Sequence, residues 1–237
     1  MEEAIAAGLR LRGALVSPDL KRTARGAALR TELERQGVVV EEVSAKMLEK
    51  LADTETPQGI VAVVEPRKWT ADELPLADGG VALVIDGVQD PGNVGTLIRT
   101  AHALGAAGTI VLRGTADIVS PKALRAAMGA TFRHPVVSLD DAAFITWARK
   151  RGVVLWASAA DGTPLHKALA NGTRGKGDGG RNDEAIAVIV GNEGAGIRPQ
   201  LNAVSTKRVA IPLSQGAESL NVAVAAGILL YEVLRGR

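Results

Sequence analysis

Cysteine is absent from all 237 residues, and with it go disulfides, thiolate zinc sites, iron–sulfur clusters and covalent thiol catalysis. Aromatic residues are nearly as scarce: two Phe, one Tyr and three Trp cannot supply an extended platform for stacked bases. No apolar run approaches the roughly 20 residues that cross a bilayer, and Met1-Glu2-Glu3 is acidic where a secretory signal is basic. The expectation is a cytoplasmic protein without a membrane partner. The histidines, His102, His134 and His166, lack the spacing of metal ligands, so no metal is expected. A strong excess of one charge is missing too, since 28 Lys and Arg face 26 Asp and Glu. Any case for a polyanionic partner must therefore be local.

What is present is an ample core, with 46% hydrophobic residues. Up to residue 66, short β-rich runs ("LRGALVS", "VVVEEV", "GIVAVVE") alternate with helical stretches, which reads as a small α/β domain. Residues 67–80, "RKWTADELPLADGG", carry charge, Pro and paired Gly and read as a linker. From 81 to 237, continuous apolar runs at Val81–Ile85, Thr109–Leu112, Val153–Ala157, Ala185–Val190 and Arg208–Ile211 are separated by amphipathic segments. Runs without alternation belong to strands covered on both faces, hence an α/β domain with a parallel sheet. In such sheets ligands sit beyond the carboxyl ends of the strands. Residues 171–184, "NGTRGKGDGGRNDE", have no apolar periodicity and read as a surface loop; they lack the strand and the Gly-Lys-Ser/Thr that a phosphate loop requires.

Three of the strand-following loops are unusual. "DGVQDPGNVGTLIRTAHALGA" opens a helix whose Asn93, Thr96 and Arg99 return to one side. "VIVGNEGAGI" runs from a strand into Gly191, Gly194 and Gly196, a turn that lets the backbone approach a ligand, with Glu193 set inside it. "VAIPLSQGAESLNVAVAAGILLYE" passes from a strand through a polar loop into a final helix beginning around Ser219, where Ser219 and Asn221 could simply cap exposed amides. That helix is apolar nearly all round and must be covered by the core or by a second subunit. Capping, packing and solvation would each account for one of these loops taken singly.

Taken in order, the three resemble the signature motifs of the SpoU (TrmH) family of RNA ribose methyltransferases, in the SPOUT superfamily. "TPQGIVAVV", residues 56–64, is similar to the end of that family's ribosomal-protein-like RNA-binding domain. The resemblance implies a C-terminal parallel-sheet domain tied in a deep trefoil knot, which no periodicity could reveal because knots are nearly absent from proteins. It implies S-adenosylmethionine as cofactor, structured RNA as substrate, and a homodimer. By position it places Gly191, Ile211 and Leu220 at the cofactor, and Arg99, Asn93, Glu193, Ser219 and Asn221 at the catalytic centre.

A ribose hydroxyl is barely ionised at neutral pH, so the reaction calls for alignment and stabilisation of the oxygen as its proton leaves. Arginine hardly deprotonates in proteins, which favours Arg99 as a phosphate and alkoxide clamp over a base. With so few aromatics, RNA docking would rest on arginine planes and phosphate contacts. "KRTARGAALR" supplies Lys21, Arg22, Arg25 and Arg30 with no acid among them, and Arg113 and Lys122 are additions nearer the catalytic centre. Family members acting on tRNA generally lack a separate N-terminal domain, so 23S rRNA is the expected substrate. The alternatives are the same reaction on tRNA, and a catalytically silent RNA-binding protein of the same fold.

Overall fold

The continuous apolar runs become the middle of a parallel sheet, and the mixed runs before them become a separate, smaller sheet. In a computed structural model, which describes residues 1–52, 57–170 and 184–235, the chain divides into two units, Met1–Arg67 and Lys68–Arg237. Thr56 of the "TPQGIVAVV" stretch and residues 171–183 of the glycine-rich loop lie outside the described residues.

The first unit runs α1 (Glu2–Ala6), β1 (Leu11–Val16), α2 (Ala24–Arg35), β2 (Val40–Glu42), α3 (Ala45–Leu51) and β3 (Ile60–Val64). Its sheet has the order β2-β1-β3, with β2 parallel and β3 antiparallel to β1. Thr23 and Ser44 cap α2 and α3 by accepting from Gly26 N and Met47 N, which satisfies amides that the helices cannot. Leu33 of α2 is fully buried against Leu11 and Ala14 of the sheet.

The second unit contains β4 (Val81–Asp86), α4 (Pro91–Ala103), β5 (Gly108–Leu112), α5 (Pro121–Ala127), α6 (Ala130–Arg133), β6 (Val136–Leu139), α7 (Asp141–Arg151), β7 (Val154–Pro164), α8 (Leu165–Ala170), β8 (Ile186–Gly191), α9 (Pro199–Val204), β9 (Lys207–Ala210) and α10 (Val222–Arg235). Its six strands are all parallel, in the order β6-β5-β4-β8-β7-β9. Central β4 and β8 are buried at every residue, as their unbroken apolar sequences require. Val81, Leu83 and Ile85 face α4 and α10, whereas Ala82 and Val84 face Phe144 and Trp147 of α7 and Leu201 of α9.

Two expectations need correcting. Residues 67–80 are no free linker, because Leu74 and Leu76 are buried in the core of the second unit and Thr70 and Glu73 form a capping box. The final helix starts at Val222, three residues beyond Ser219, because the Asn221 side chain is the group that accepts from its first amides.

The strand order places the site. From β4 the chain turns toward β5 and β6, and from β8 it turns past β7 to β9. The carboxyl ends of β4 and β8 therefore flank the crevice at which an open parallel sheet holds its ligand. After edge strand β9, residues 211–221 carry the chain back to the sheet centre, where α10 packs against α4.

Candidate active site

The loop after β4 is built to aim α4 across this crevice. Asp90 caps the helix by accepting from Asn93 N at 2.9 Å, and Pro91 supplies a preset first helical residue. Lys122 Nζ donates to Asp90 Oδ2 at 2.6 Å. That hydrogen bond, aided by the one from the Asn93 amide, holds the Asp90 carboxyl below its usual range. Gly95 lets the next helix lie directly on α4, since a Cβ there would meet the carbonyl oxygen of Ala123 at 2.2 Å.

The loop after β8 is closed on itself. Asn192 N and O pair with Gly196 O and N at 3.0 and 2.9 Å. A Cβ on Gly191 would sit 2.3 Å from Gly196 C, so only glycine permits this closure. The Asn192 Oδ1 atom accepts from Gly194 N and Ala195 N, both at 2.9 Å, and its Nδ2 donates to Gly87 O at 2.9 Å. Asn192 thus fastens the second loop to the first.

A chain of side chains then joins all three loops. Asn93 Nδ2 donates to Glu193 Oε1 at 2.9 Å, and Asn221 Nδ2 donates to Asn93 Oδ1 at 3.0 Å. The polarity is forced: a carboxylate only accepts, so Asn93 turns its amide nitrogen to Glu193 and its oxygen to Asn221. Asn221 keeps its own oxygen for Ala223 N and Val224 N of α10, at 2.9 and 3.3 Å. Residues 93, 193 and 221, far apart in sequence, are one hydrogen-bonded unit.

The other expected residues are placed but not joined to that unit. Arg99 is exposed on α4, and its side chain has no hydrogen bond or ion pair to another described residue. Ser219 lies in the exposed segment 212–220, before the helix and not capping it. Gly191 ends β8 and is buried, Ile211 packs partly buried against the α4 and α10 side of the core, and Leu220 is 38% exposed. A glycine turn, and half-buried and exposed aliphatic groups on the loop after β9, are the kinds of surface that a ligand with apolar faces needs. Thr96 is spent locally, donating to Gly92 O at 2.8 Å.

Sequence reasoning missed Arg198. Its backbone N and Nε donate to the buried Asp86 at the end of β4, at 2.8 and 2.5 Å, while Nη1 and Nη2 grip Asp141 of α7, both at 2.8 Å. A carboxylate closing an apolar strand was a signal that some cation must reach it, but nothing local named a partner 112 positions away.

The basic cluster also differs from its linear impression. Lys21 meets Glu42 at 3.6 Å, Arg22 meets Asp19 at 2.9 Å, Arg25 pairs with Glu2, and Arg30 bridges Glu34 and Glu42 at 2.9 and 3.0 Å. The run without acids is balanced by acids from α1, α2, β2 and its own short flanking turn. Among the described residues no three His, Cys, Asp or Glu converge as a metal site would need, and no helix is long and apolar enough to cross a membrane. His134 is buried at the opposite end of the sheet, 2.9 Å from the Thr109 hydroxyl.

Fold and site together define an α/β protein with an all-parallel sheet, in which the loops after β4, β8 and β9 are joined by side-chain hydrogen bonds. Residues 80–231 match the model of the SpoU rRNA Methylase family, and the chain belongs to that family. Residues 1–70 match the RNA 2'-O ribose methyltransferase substrate binding model. The chain is 40% identical over 187 residues, 78% of its length and 68% of the relative's, to the 23S rRNA (guanosine(2553)-2'-O)-methyltransferase RlmP of Bacillus subtilis. It is 32% identical over 214 residues, 87% of its length and 82% of the relative's, to the 23S rRNA (guanosine-2'-O-)-methyltransferase RlmB of Pectobacterium atrosepticum. The crystal structure of the SpoU methyltransferase AviRb of Streptomyces viridochromogenes, in complex with AdoMet, superposes with a TM-score of 0.82 at 28% identity, covering 99% of this chain and 86% of that one.

Proposed function

We propose that this protein transfers a methyl group from S-adenosylmethionine to a ribose 2′-hydroxyl of 23S rRNA. The observation that carries the reading is the hydrogen-bonded unit of Glu193, Asn93 and Asn221, which draws three separate loops to one point of the crevice. Two rRNA-acting relatives and a match that begins at residue 1 favour rRNA over tRNA, because the substrate-binding unit is part of the likeness.

The turn at Gly191, with Ile211 and Leu220, would hold the cofactor, which supplies when bound a methyl group already activated by a sulfonium. The protein's task is then the weak nucleophile. Asn93 and Asn221 fix the ribose by side-chain atoms whose donor and acceptor sense is already set, and Glu193 keeps Asn93 turned that way. Arg99 is exposed and can reach for RNA, and guanidinium groups stay protonated in proteins, so its charge steadies the ribose oxygen and an adjoining phosphate. Ser219 hydrogen-bonds near the same centre.

Lys21, Arg22, Arg25 and Arg30 dock the RNA by exchanging exposed carboxylate partners for phosphates, an exchange that costs little because water and salt already screen exposed ion pairs. The outer face of α10 carries Val224, Ile228 and Tyr231, exposed by 51%, 37% and 53%, and fits a second copy of the chain. Residues 211–221, returning from the sheet edge to its centre, are where the family's knot would be tied. The enzyme works in the cytoplasm, where its RNA is made.

The test is transfer of radiolabelled methyl from S-adenosylmethionine to unmodified 23S rRNA and tRNA transcripts, with Arg99→Ala as control and nuclease mapping of the labelled ribose. Label at an rRNA 2′-oxygen, lost in the variant, is the expected result. Label on tRNA alone would replace the substrate, and cofactor binding without any transfer would leave a silent RNA-binding protein.

A further inference from the structure

Beyond the carboxyl ends of β5 and β6 lies a cavity of about 390 Å³, large enough for a small ligand, to which no role has yet been assigned. It borders the segment 113–118 and the end of β6, with Arg113, Thr115, Asp117, Ser138 and Asp140 among its walls. Its floor is tied to the catalytic loop. The Thr115 hydroxyl accepts from Gly87 N at 3.0 Å and donates to Ile85 O at 3.2 Å, and Ala116 N donates to Val88 O at 2.9 Å.

The sheet order gives the cavity its meaning. The segments proposed to hold the cofactor follow β8 and β9, on one side of β4, whereas the cavity lies on the other side, over β5 and β6. On the proposed reading a ribose held by Asn93, at the start of the helix after β4, would lie between the two, and an RNA strand with its methyl donor on the β8 side would have the β5 side open to its neighbouring parts. We propose that this cavity is a subsite for a nucleobase of the RNA strand being methylated; the proposal rests on the reading of the protein as an RNA methyltransferase.

The walls suit a base. No aromatic side chain lines the cavity, so stacking falls to the guanidinium plane of Arg113, whose side chain is 78% exposed and only loosely paired, 3.8 Å from Asp140. Asp140 and Ser138 offer an acceptor and a hydroxyl for the edge of the base, which is how single-stranded RNA is read once a base is splayed out. Asp140 Oδ1 is committed to capping α7 through Ala143 N, leaving Oδ2 toward Arg113 and the cavity.

The test uses the full chain, a 23S rRNA transcript and two variants away from the catalytic unit. Arg113→Ala removes the stacking plane, and Ser138→Leu fills the space from an exposed strand position. Each should weaken transcript binding, and raise the KM for it, about tenfold, the loss expected for one stacked base. The dissociation constant for S-adenosylmethionine and the melting temperature should stay at native values. Arg113→Lys, which keeps the charge but loses the plane, should not restore binding. Native affinity in both Arg113→Ala and Ser138→Leu, or full rescue by lysine, overturns the subsite. A native protein that binds the transcript without methylating it would overturn the reaction alone, leaving the variants' affinities to decide the subsite; one that binds no transcript overturns both.

Discussion

The two ends of the six-stranded sheet are made from the same strands and differ in almost everything else. At the carboxyl ends, Asn93, Glu193 and Asn221 are held by one another near water, and Arg99 is held by nothing described. At the amino ends, His134 is 2% exposed and bonded to the wholly buried Thr109, and Gly108 sits so close to Leu74 that a Cβ would come within 2.4 Å of it. Parallel strands send every βα loop to one edge, so functional groups collect there while the other edge is left to packing. Variants at the carboxyl edge should therefore injure turnover, and variants at the amino edge should injure stability.

The largest expected effect sharpens that contrast. Arg99→Ala should lower kcat by about 10²- to 10³-fold, the range for removing one group that stabilises a developing oxyanion. Exposure and lack of a described partner predict a stability change within about 0.5 kcal/mol. Single-turnover methyl transfer and thermal melting on the same samples check both halves, and a large loss of melting temperature would mean that Arg99 is structural.

Arg198 is the residue most able to break the contrast, since it stands at the carboxyl edge yet satisfies a carboxyl group that is 1% exposed. In Arg198→Gln, Asp86 loses its charged partner, which should cost roughly 3 kcal/mol in a denaturant titration, the low end for a broken buried pair because Arg198 itself is partly exposed. Residual activity in the folded fraction should stay within about tenfold of native. A deeper loss of kcat at native stability would move Arg198 from scaffold to chemistry.

At the other edge, burial, reinforced by the nearby charge of His102, pushes the His134 pKa down to about 4. A histidine whose folded pKa lies below its unfolded value makes the unfolded state the better proton binder between the two. Its favourable neutral burial is complete above about pH 6.5 and is lost as pH falls toward 4, up to about 3 kcal/mol. Stability measured across that window should fall with pH in the native protein and fall less in His134→Asn, while turnover at pH 7.5 stays native.

A smaller effect belongs to the unit that joins the loops. Asn93→Ala, Asn221→Ala and the double variant form a cycle whose coupling in transition-state free energy should be about 1 kcal/mol, the net worth of one hydrogen bond. Strict additivity would mean that the two asparagines act separately.

How much of this was legible in the sequence follows from how locally each feature is encoded. The five continuous apolar runs declared parallel strands, buried throughout at β4, β5 and β8, while edge strand β9 buries only its last two residues. Edge strand β6 went unseen, since "VVSL" is four residues with an exposed serine and resembles any loop. The glycine turn at 191–196 was readable as a close backbone approach, but the reason glycine is required at 191, the opposing Gly196 backbone, appears only in three dimensions. Asn93, Glu193 and Asn221 are expected together with Arg99 and Ser219 from the resemblance of their motifs. The bonds that make them a group depend on the strand order, which places the ends of β4 and β8 side by side. Leu74 and Leu76 show the converse error: two leucines among Pro, Gly and charge read as a linker until a core exists to receive them.

The smallest effect concerns the first unit, where sequence and structure diverged most. Lys21, Arg22, Arg25 and Arg30 read as an uncompensated cationic run, yet each has a carboxylate partner. The pairs are largely exposed, so Arg25→Ala should leave the melting temperature close to native. Its effect on RNA separates two roles. If the guanidinium exchanges Glu2 for a phosphate, the log–log salt dependence of transcript binding should become shallower by about one unit or less. If Glu2 keeps it, Arg25→Ala will leave the slope unchanged while Glu2→Gln steepens it by freeing the cation. Comparing the two slopes decides whether the run is a docking surface held in reserve by its acids or simply part of the scaffold.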